Sequence, residues 1–255
     1  MSEIVTCKLE HPICTITLDD GKVNCLSPQM LGEINAALDR AEEDGAAVVL
    51  AGRKGKFSAG FDLAVLAKGG DEAVDMLIDG FRLAERLLSF PMPVVIACTG
   101  HALAMGSFLL LSADYRIGVD GPHKIGANEV AIGMTMPRFG VEISRQRLAP
   151  AHFHRAVICA EIYSPHGAVE AGFLDRVVPE DELMAAAREK ATALAGLSMP
   201  AHAATKLRAR EEALRAVRQA IEADEAELRH QRGVLPAAGV SPSCACRSRG
   251  RRCGP

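Results

Sequence analysis

No stretch of this 255-residue chain reaches the roughly 18–20 apolar residues that a membrane-spanning helix needs. The longest apolar blocks, Ala46–Ala51 and Phe108–Leu111, have the length of buried strands or of one buried helix. The first residues, Met1-Ser2-Glu3-Ile4-Val5, lack a basic n-region and an apolar h-region, so no signal peptide is expected. Neither charge is in excess: 29 Lys and Arg against 32 Asp and Glu leave a formal net charge of −3. That balance gives no reason to expect nucleic acid or a membrane surface as a partner. The G-x-x-x-x-G-K-[ST] phosphate loop, a G-x-G-x-x-G after a strand, and a G-x-S-x-G elbow around Ser107 are all missing. No paired C-x-x-C is present. Of eight cysteines, Cys7, Cys14, Cys25, Cys98 and Cys159 stand singly among apolar residues and read as reduced thiols of a cytoplasmic protein. Cys244, Cys246 and Cys253 give only a weak metal signal, and His152-x-His154 reads as a surface pair, so no metal site is expected.

What is present is strand–helix alternation, which argues for an α/β architecture. Residues 4–9 and 13–18 are β-branched runs separated by His11-Pro12 and predict a hairpin. Ser27-Pro28 reads as an N-cap and first helical residue. The helix after it carries Met30, Leu31, Ile34, Ala37, Leu38 and Ala41 on one face. Ala46–Ala51 suits a strand buried on both faces. Gly52–Lys56 follows as a basic, glycine-broken loop, and Asp71–Ser89 is helical again. Further helices are predicted over Val141–Leu148, Ala151–Ala160, Pro165–Ala171, Glu180–Leu197 and, as one long element, Pro200–Arg229. This divides the chain into a core over 1–195, a helical region over 196–232, and a tail over 233–255. The tail is rich in Pro, Gly, Ser, Arg and Cys and is expected to be disordered.

The stretch from Pro91 to Gly140 organises the rest. The run Val94-Val95-Ile96 leads to a turn at Gly100-His101 and a small-residue step, Ala102 to Ser107. An apolar helix-length segment and a second strand, Tyr115–Val119, follow. Asn128-Glu129-Val130 then sets one carboxylate among apolar neighbours. A helix start built from small residues offers backbone N–H groups to a negative oxygen, and a lone acid beside it is a candidate general base. Read from spacing alone, Glu129 is equally a capping or ion-paired structural acid.

Three ordered blocks carry a family resemblance. Phe57-Ser58-Ala59-Gly60-Phe61-Asp62-Leu63 resembles the F-S-A-G-x-D-L block of the crotonase (enoyl-CoA hydratase/isomerase) superfamily. Pro93–Val119, with Gly100-His101-Ala102-Leu103, Gly106 and Ala113-Asp114-Tyr115-Arg116-Ile117, resembles its second block. Ala171–Pro179 resembles its A-G-L-V-D-x-V-V block. The resemblance spans roughly residues 4 to 230. It implies stacked β-β-α turns with C-terminal helices that build homotrimers or hexamers. It implies an acyl-CoA thioester as ligand, coenzyme A being part of the substrate and no separate cofactor being needed. It also implies an oxyanion hole made by the backbone N–H groups of Phe61 and Met105. Ala59, Gly60, Asp62, Leu63, Gly106, Phe108 and Arg138 are then expected to line the substrate, Arg138 by reaching an acyl or phosphate group. Asp62 also reads as the cap of the following helix, and His101 as a turn histidine satisfied by backbone.

The family's hydratases use two glutamates. Here Phe108 stands at the position of the first, while Glu129 matches the second. Phe108 has no group that activates water. Moving a double bond needs one acid, and the Δ3,Δ2-enoyl-CoA isomerase branch resembles this chain in keeping the Asn-Glu pair, here Asn128-Glu129. Met105 departs from the glycine usual at that position. Isomerisation by Glu129 is the leading expectation. Hydration or another enolate reaction, and acyl-CoA binding without turnover, are the alternatives.

Overall fold

The computed structural model describes residues 3–231; the tail expected over 233–255 lies outside them. Strand β1 (Val5–Glu10) pairs antiparallel with β2 (Ile13–Leu18), Cys7 facing Ile16. Helix α1 (Pro28–Glu43) begins where the Ser27 Oγ accepts a hydrogen bond from the Met30 N–H at 3.2 Å. Its buried residues are the six that the spacing picks out.

From here the chain winds in repeating turns. Each turn adds one strand to a large sheet, one to a small sheet, and then goes helical. The first turn is β3 (Ala47–Ala51), β4 (Gly55–Ser58), α2 (Leu63–Lys68) and α3 (Gly70–Ser89). The second is β5 (Val94–Cys98), β6 (Gly100–Leu103) and α4 (Met105–Ser112). The third is β7 (Tyr115–Val119), β8 (Ile125–Gly126), a 3-10 turn at Val130–Ile132 and α5 (Arg138–Arg145). Helices α6 (Pro150–Val157) and α7 (Pro165–Ala171) lead to β9 (Arg176–Val178). The large sheet runs β1-β2-β3-β5-β7-β9 and the small one β4-β6-β8; only the β1–β2 pair is antiparallel. This is the stacked β-β-α core that the family resemblance implies.

Burial on both faces explains the continuous apolar strands. In β3, Val48 and Leu50 enter the main core under α1 and α3. Ala47, Val49 and Ala51 enter a second core. That second core is covered by Leu183, Ala187 and Ala191 of α8 (Leu183–Ala195).

Three expectations need correction. Gly100-His101 is the start of a strand rather than a turn, and Gly55-Lys56 belongs to β4 rather than to a loop. The strands pair Gly55 with Gly100, so close that a Cβ on Gly100 would lie 1.9 Å from the Gly55 carbonyl carbon. The bare Cα of Gly100 permits that approach. The long C-terminal helix is in fact two, α9 (Met199–Ala209) and α10 (Glu211–Gln231). Arg210 leaves helical geometry at φ −108°, ψ 8°. Its guanidinium donates to the Leu88 carbonyl at 2.7 Å and meets the Asp114 carboxylate at 3.0 Å. One turn earlier the buried Lys206 ammonium donates to Phe90 O, Met92 O and Asp114 Oδ2 at 2.8, 2.9 and 2.6 Å. These anchors bend the chain so that α10 buries Leu214, Val217 and Ile221 in the main core. Asp224 of α10 then accepts from the Arg138 and Phe139 N–H groups at 3.1 and 2.8 Å and caps α5.

Candidate active site

Two loops meet where β4 and β6 end. Gly60 has φ +92°, open to glycine and strained for other residues. A Cβ there would lie 2.8 Å from the Ala104 Cβ and 3.3 Å from the Met105 nitrogen. Gly106 answers from the other side: a Cβ on it would lie 2.5 Å from the Ser58 carbonyl oxygen. One glycine in each block thus lets the two backbones touch, which sets the Phe61 and Met105 amides beside each other.

Both amides are free. Phe61 forms a parallel bridge with Leu26, but that bridge uses the Gly60 carbonyl (2.8 Å) and the Asp62 N–H (3.4 Å). Met105 is the first residue of α4, where no carbonyl one turn back is available. Neither N–H has an acceptor among the described residues. Two unpaired donors at adjacent loop ends form a cradle for one negative oxygen.

The cradle is braced by residues that the motif reading missed. Asn24 is fully buried and its amide donates to Leu18 O, Lys56 O and Phe57 O at 3.0, 3.2 and 3.1 Å. Ser58 Oγ donates to Asn24 O at 2.8 Å and accepts from the Gly60 N–H at 3.2 Å. The signal was a lone polar residue after the Asp19-Asp20-Gly21 turn, which only the fold shows to be internal. The departure at Met105 is mild, for its side chain is buried. The strained residue is its neighbour Ala104, at φ 49°, ψ −127°, a region that costs a side-chain-bearing residue about 1–3 kcal/mol.

Glu129 comes from the third turn. β8 pairs with β6 and the Ala104 N–H donates to the Gly126 carbonyl at 3.1 Å, so the loop holding Glu129 is tied to the start of α4. The glutamate is only 6% exposed, and its Oε2 has no partner among the described residues; neither does the Asn128 Oδ1. It caps no helix through its side chain and forms no ion pair among the described residues, so neither structural role expected of an ordinary acid is filled. Burial pushes its pKa up to about 7, its own backbone amide pulling the other way. Around it Val130, Ile132 and Met134 stay exposed, an apolar rim about a buried acid.

An aromatic chain joins cradle and wall. The Phe61 ring meets Phe81 edge-on at 6.0 Å, Phe81 stacks on Phe139 at 4.5 Å, and Phe139 meets Phe108 edge-on at 5.7 Å. Phe108, 1% exposed, fills its position with hydrocarbon.

The remaining expected residues are placed as follows. The Asp62 carboxylate accepts from the Ala64 N–H at 2.8 Å and caps α2. Leu63 projects from the first turn of α2 at 68% exposure, and Ala59 is exposed at the end of β4. Arg138 turns its guanidinium to Asp224 and Glu227 of α10, so its charge is engaged within the fold. The His101 Nδ1 accepts from the Lys124 N–H at 3.0 Å, as a backbone-satisfied histidine does. Among the described residues no group of three or more His, Cys, Asp or Glu side chains is placed to hold a metal ion, and no helix is long and apolar enough to cross a membrane.

Comparison with known proteins gives the family. Residues 8–233 match the family model described as enoyl-CoA hydratase/isomerase. A carnitinyl-CoA dehydratase of Salmonella typhi is 30% identical over 209 residues, covering 81% of this chain and 80% of that one. A crystal structure described as an enoyl-CoA hydratase of Mycobacterium marinum is 47% identical with a TM-score of 0.85, covering 89% of this chain and 100% of the other. One described as an enoyl-CoA isomerase of Mycobacterium tuberculosis is 46% identical with a TM-score of 0.85, over 89% and 100% of the two chains. The chain therefore belongs to the enoyl-CoA hydratase/isomerase family, within the crotonase superfamily.

Proposed function

We propose that this protein binds an enoyl-CoA thioester and moves its double bond from Δ3 to Δ2, with Glu129 as the single acid and base. The observation that carries this is a lone buried carboxylate, its Oε2 without a partner among the described residues, with Phe108 where a second acid is needed to hold water. In this reading the thioester oxygen sits between the Phe61 and Met105 N–H groups. Glu129 removes a proton from C2. The electron pair flows to the oxygen, and the two donors hold the dienolate more strongly than the neutral thioester. The protonated Glu129 then delivers its proton to C4, and the double bond settles between C2 and C3. A carboxyl with a pKa of about 7 is matched to both halves of this exchange, since it gives and takes a proton near neutral pH. The apolar surroundings keep water from competing for the intermediate.

The relatives' names divide among isomerase, hydratase and dehydratase, so the test must separate these reactions. Purified protein is given a 3-enoyl-CoA and, separately, a 2-enoyl-CoA, each beside Glu129→Gln. Migration of the 3-enoyl double bond that vanishes in the variant supports the proposal. Hydration of the 2-enoyl ester as the faster reaction overturns it in favour of a hydratase. Tight binding of both esters with no turnover overturns it in favour of an acyl-CoA-binding protein.

A further inference from the structure

Helix α3 carries a glycine in its interior, Gly80, buried and ten residues past the helix start. Glycine at such a position weakens a helix relative to alanine, because it has more backbone freedom to lose. What its missing side chain makes room for is unusually specific. A Cβ at Gly80 would lie 2.3 Å from the Phe61 Cε1, 2.5 Å from Cζ and 3.6 Å from Cδ1. The three nearest atoms are all of one ring. The notch in α3 therefore holds the Phe61 side chain, and Phe81 on the same helix meets that ring edge-on.

Phe61 also carries one of the two unpaired cradle amides. Its N–H direction is set by the peptide between Gly60 and Phe61, and that peptide is hinged at a glycine with φ +92°. On the near side the Leu26 bridge holds it. On the far side the ring in the notch does. We propose that Gly80 is a positioning residue of the oxyanion hole: its bare Cα seats the Phe61 ring and so aims the Phe61 N–H at the thioester oxygen. This rests on the reading of that amide as an oxyanion donor. A donor displaced by about an ångström loses most of its preference for the transition state, and misplacements of that size cost about 10²-fold in rate.

The test uses the full-length protein and three variants, Gly80→Ala, Phe61→Leu and the double variant. Leucine keeps the backbone donor but lacks the Cε1 and Cζ atoms that meet the new Cβ. Four readouts are taken: kcat and KM on a 3-enoyl-CoA, melting temperature, and the ultraviolet band of bound acetoacetyl-CoA. That band reports enolate held in the cradle, whichever reaction the enzyme performs. Gly80→Ala is expected to lower kcat about 10²-fold, to change KM less than about threefold, and to weaken the enolate band without lowering the melting temperature. The double variant is expected to regain most of kcat and of the band. Unchanged kcat and band in Gly80→Ala overturn the proposal. So does a double variant that regains melting temperature without kcat, since Gly80 is then a packing residue only. A wild-type protein that shows the band but no isomerisation defeats the isomerase reading alone, and the band still decides on Gly80. A wild-type protein that shows neither overturns the oxyanion reading and this inference with it.

Discussion

The cradle and the acid loop solve opposite problems. The Phe61 and Met105 donors are backbone, fixed by glycine contacts and by the buried Asn24 and Ser58 network, and no side-chain change removes them. Glu129 is a side chain whose Oε2 has no partner among the described residues and whose carboxylate is met only by its own backbone amide. A preorganised donor pair benefits from rigidity, whereas a group that shuttles a proton must not be bonded so well that one charge state wins. The two regions should therefore respond differently to mutation.

The sharpest break is at Glu129. Glu129→Gln keeps the shape and removes the base, and should lower kcat about 10²–10⁴-fold with little change in the dissociation constant of a saturated acyl-CoA. Stopped turnover with intact binding, by calorimetry, checks it; a residual rate above a tenth of wild type refutes the role. In the cradle, Gly60→Ala places a Cβ 2.8 Å from the Ala104 Cβ on a backbone at φ +92°. It should cost about 2–4 kcal/mol of stability and about 10²-fold in kcat together. Urea unfolding beside kinetics shows whether the two losses are coupled as they must be.

Titration sharpens the contrast. The folded pKa of Glu129, about 7, lies above the ordinary 4.5. Between those values the folded protein holds a proton that the unfolded chain has released. The stabilisation is complete below pH 4.5 and is lost as pH rises to 7, by about 2.5 pH units at 1.36 kcal/mol each, or about 3 kcal/mol. Glu129→Gln should abolish that slope and leave the variant more stable than wild type at pH 8. Unfolding free energies at pH 5 and pH 8 decide it; equal slopes in both proteins exclude a buried, unpaired acid. The rate follows the other sign, kcat/KM rising through about pH 7 as the base ionises. The smallest effect is expected at Arg138, whose charge is engaged by Asp224 and Glu227. Arg138→Ala should change KM less than about threefold and leave the melting temperature close to that of wild type. A tenfold rise in KM would show that the guanidinium leaves α10 to meet the substrate.

Local periodicity made much of the fold legible. The six buried residues of α1, the two-faced strand at Ala47–Ala51 and the α7 helix over Pro165–Ala171 follow from spacing and caps that lie within a few residues of each other. Strands β6 and β8 were not legible, because four and two residues with glycine at a pairing position carry no alternation; their partners are far away in the chain. The break at Arg210 was hidden for the same reason: its cause is Leu88 and Asp114, about a hundred residues earlier. Within the candidate site, the lone acid and the two motif blocks stood out. Asn24 and Gly80 did not, since their meaning lies in what they touch across the fold.

The capping of α5 by Asp224 has a consequence for timing. Phe61, Met105 and Glu129 have all been made about 95 residues before Asp224 is added, which at about 5–20 residues per second is some 5–20 seconds. Throughout that interval the Arg138 and Phe139 amides lack their acceptor, and Phe139 is the ring between Phe81 and Phe108. The candidate site residues are thus all made before α10, the helix that caps α5 beside them.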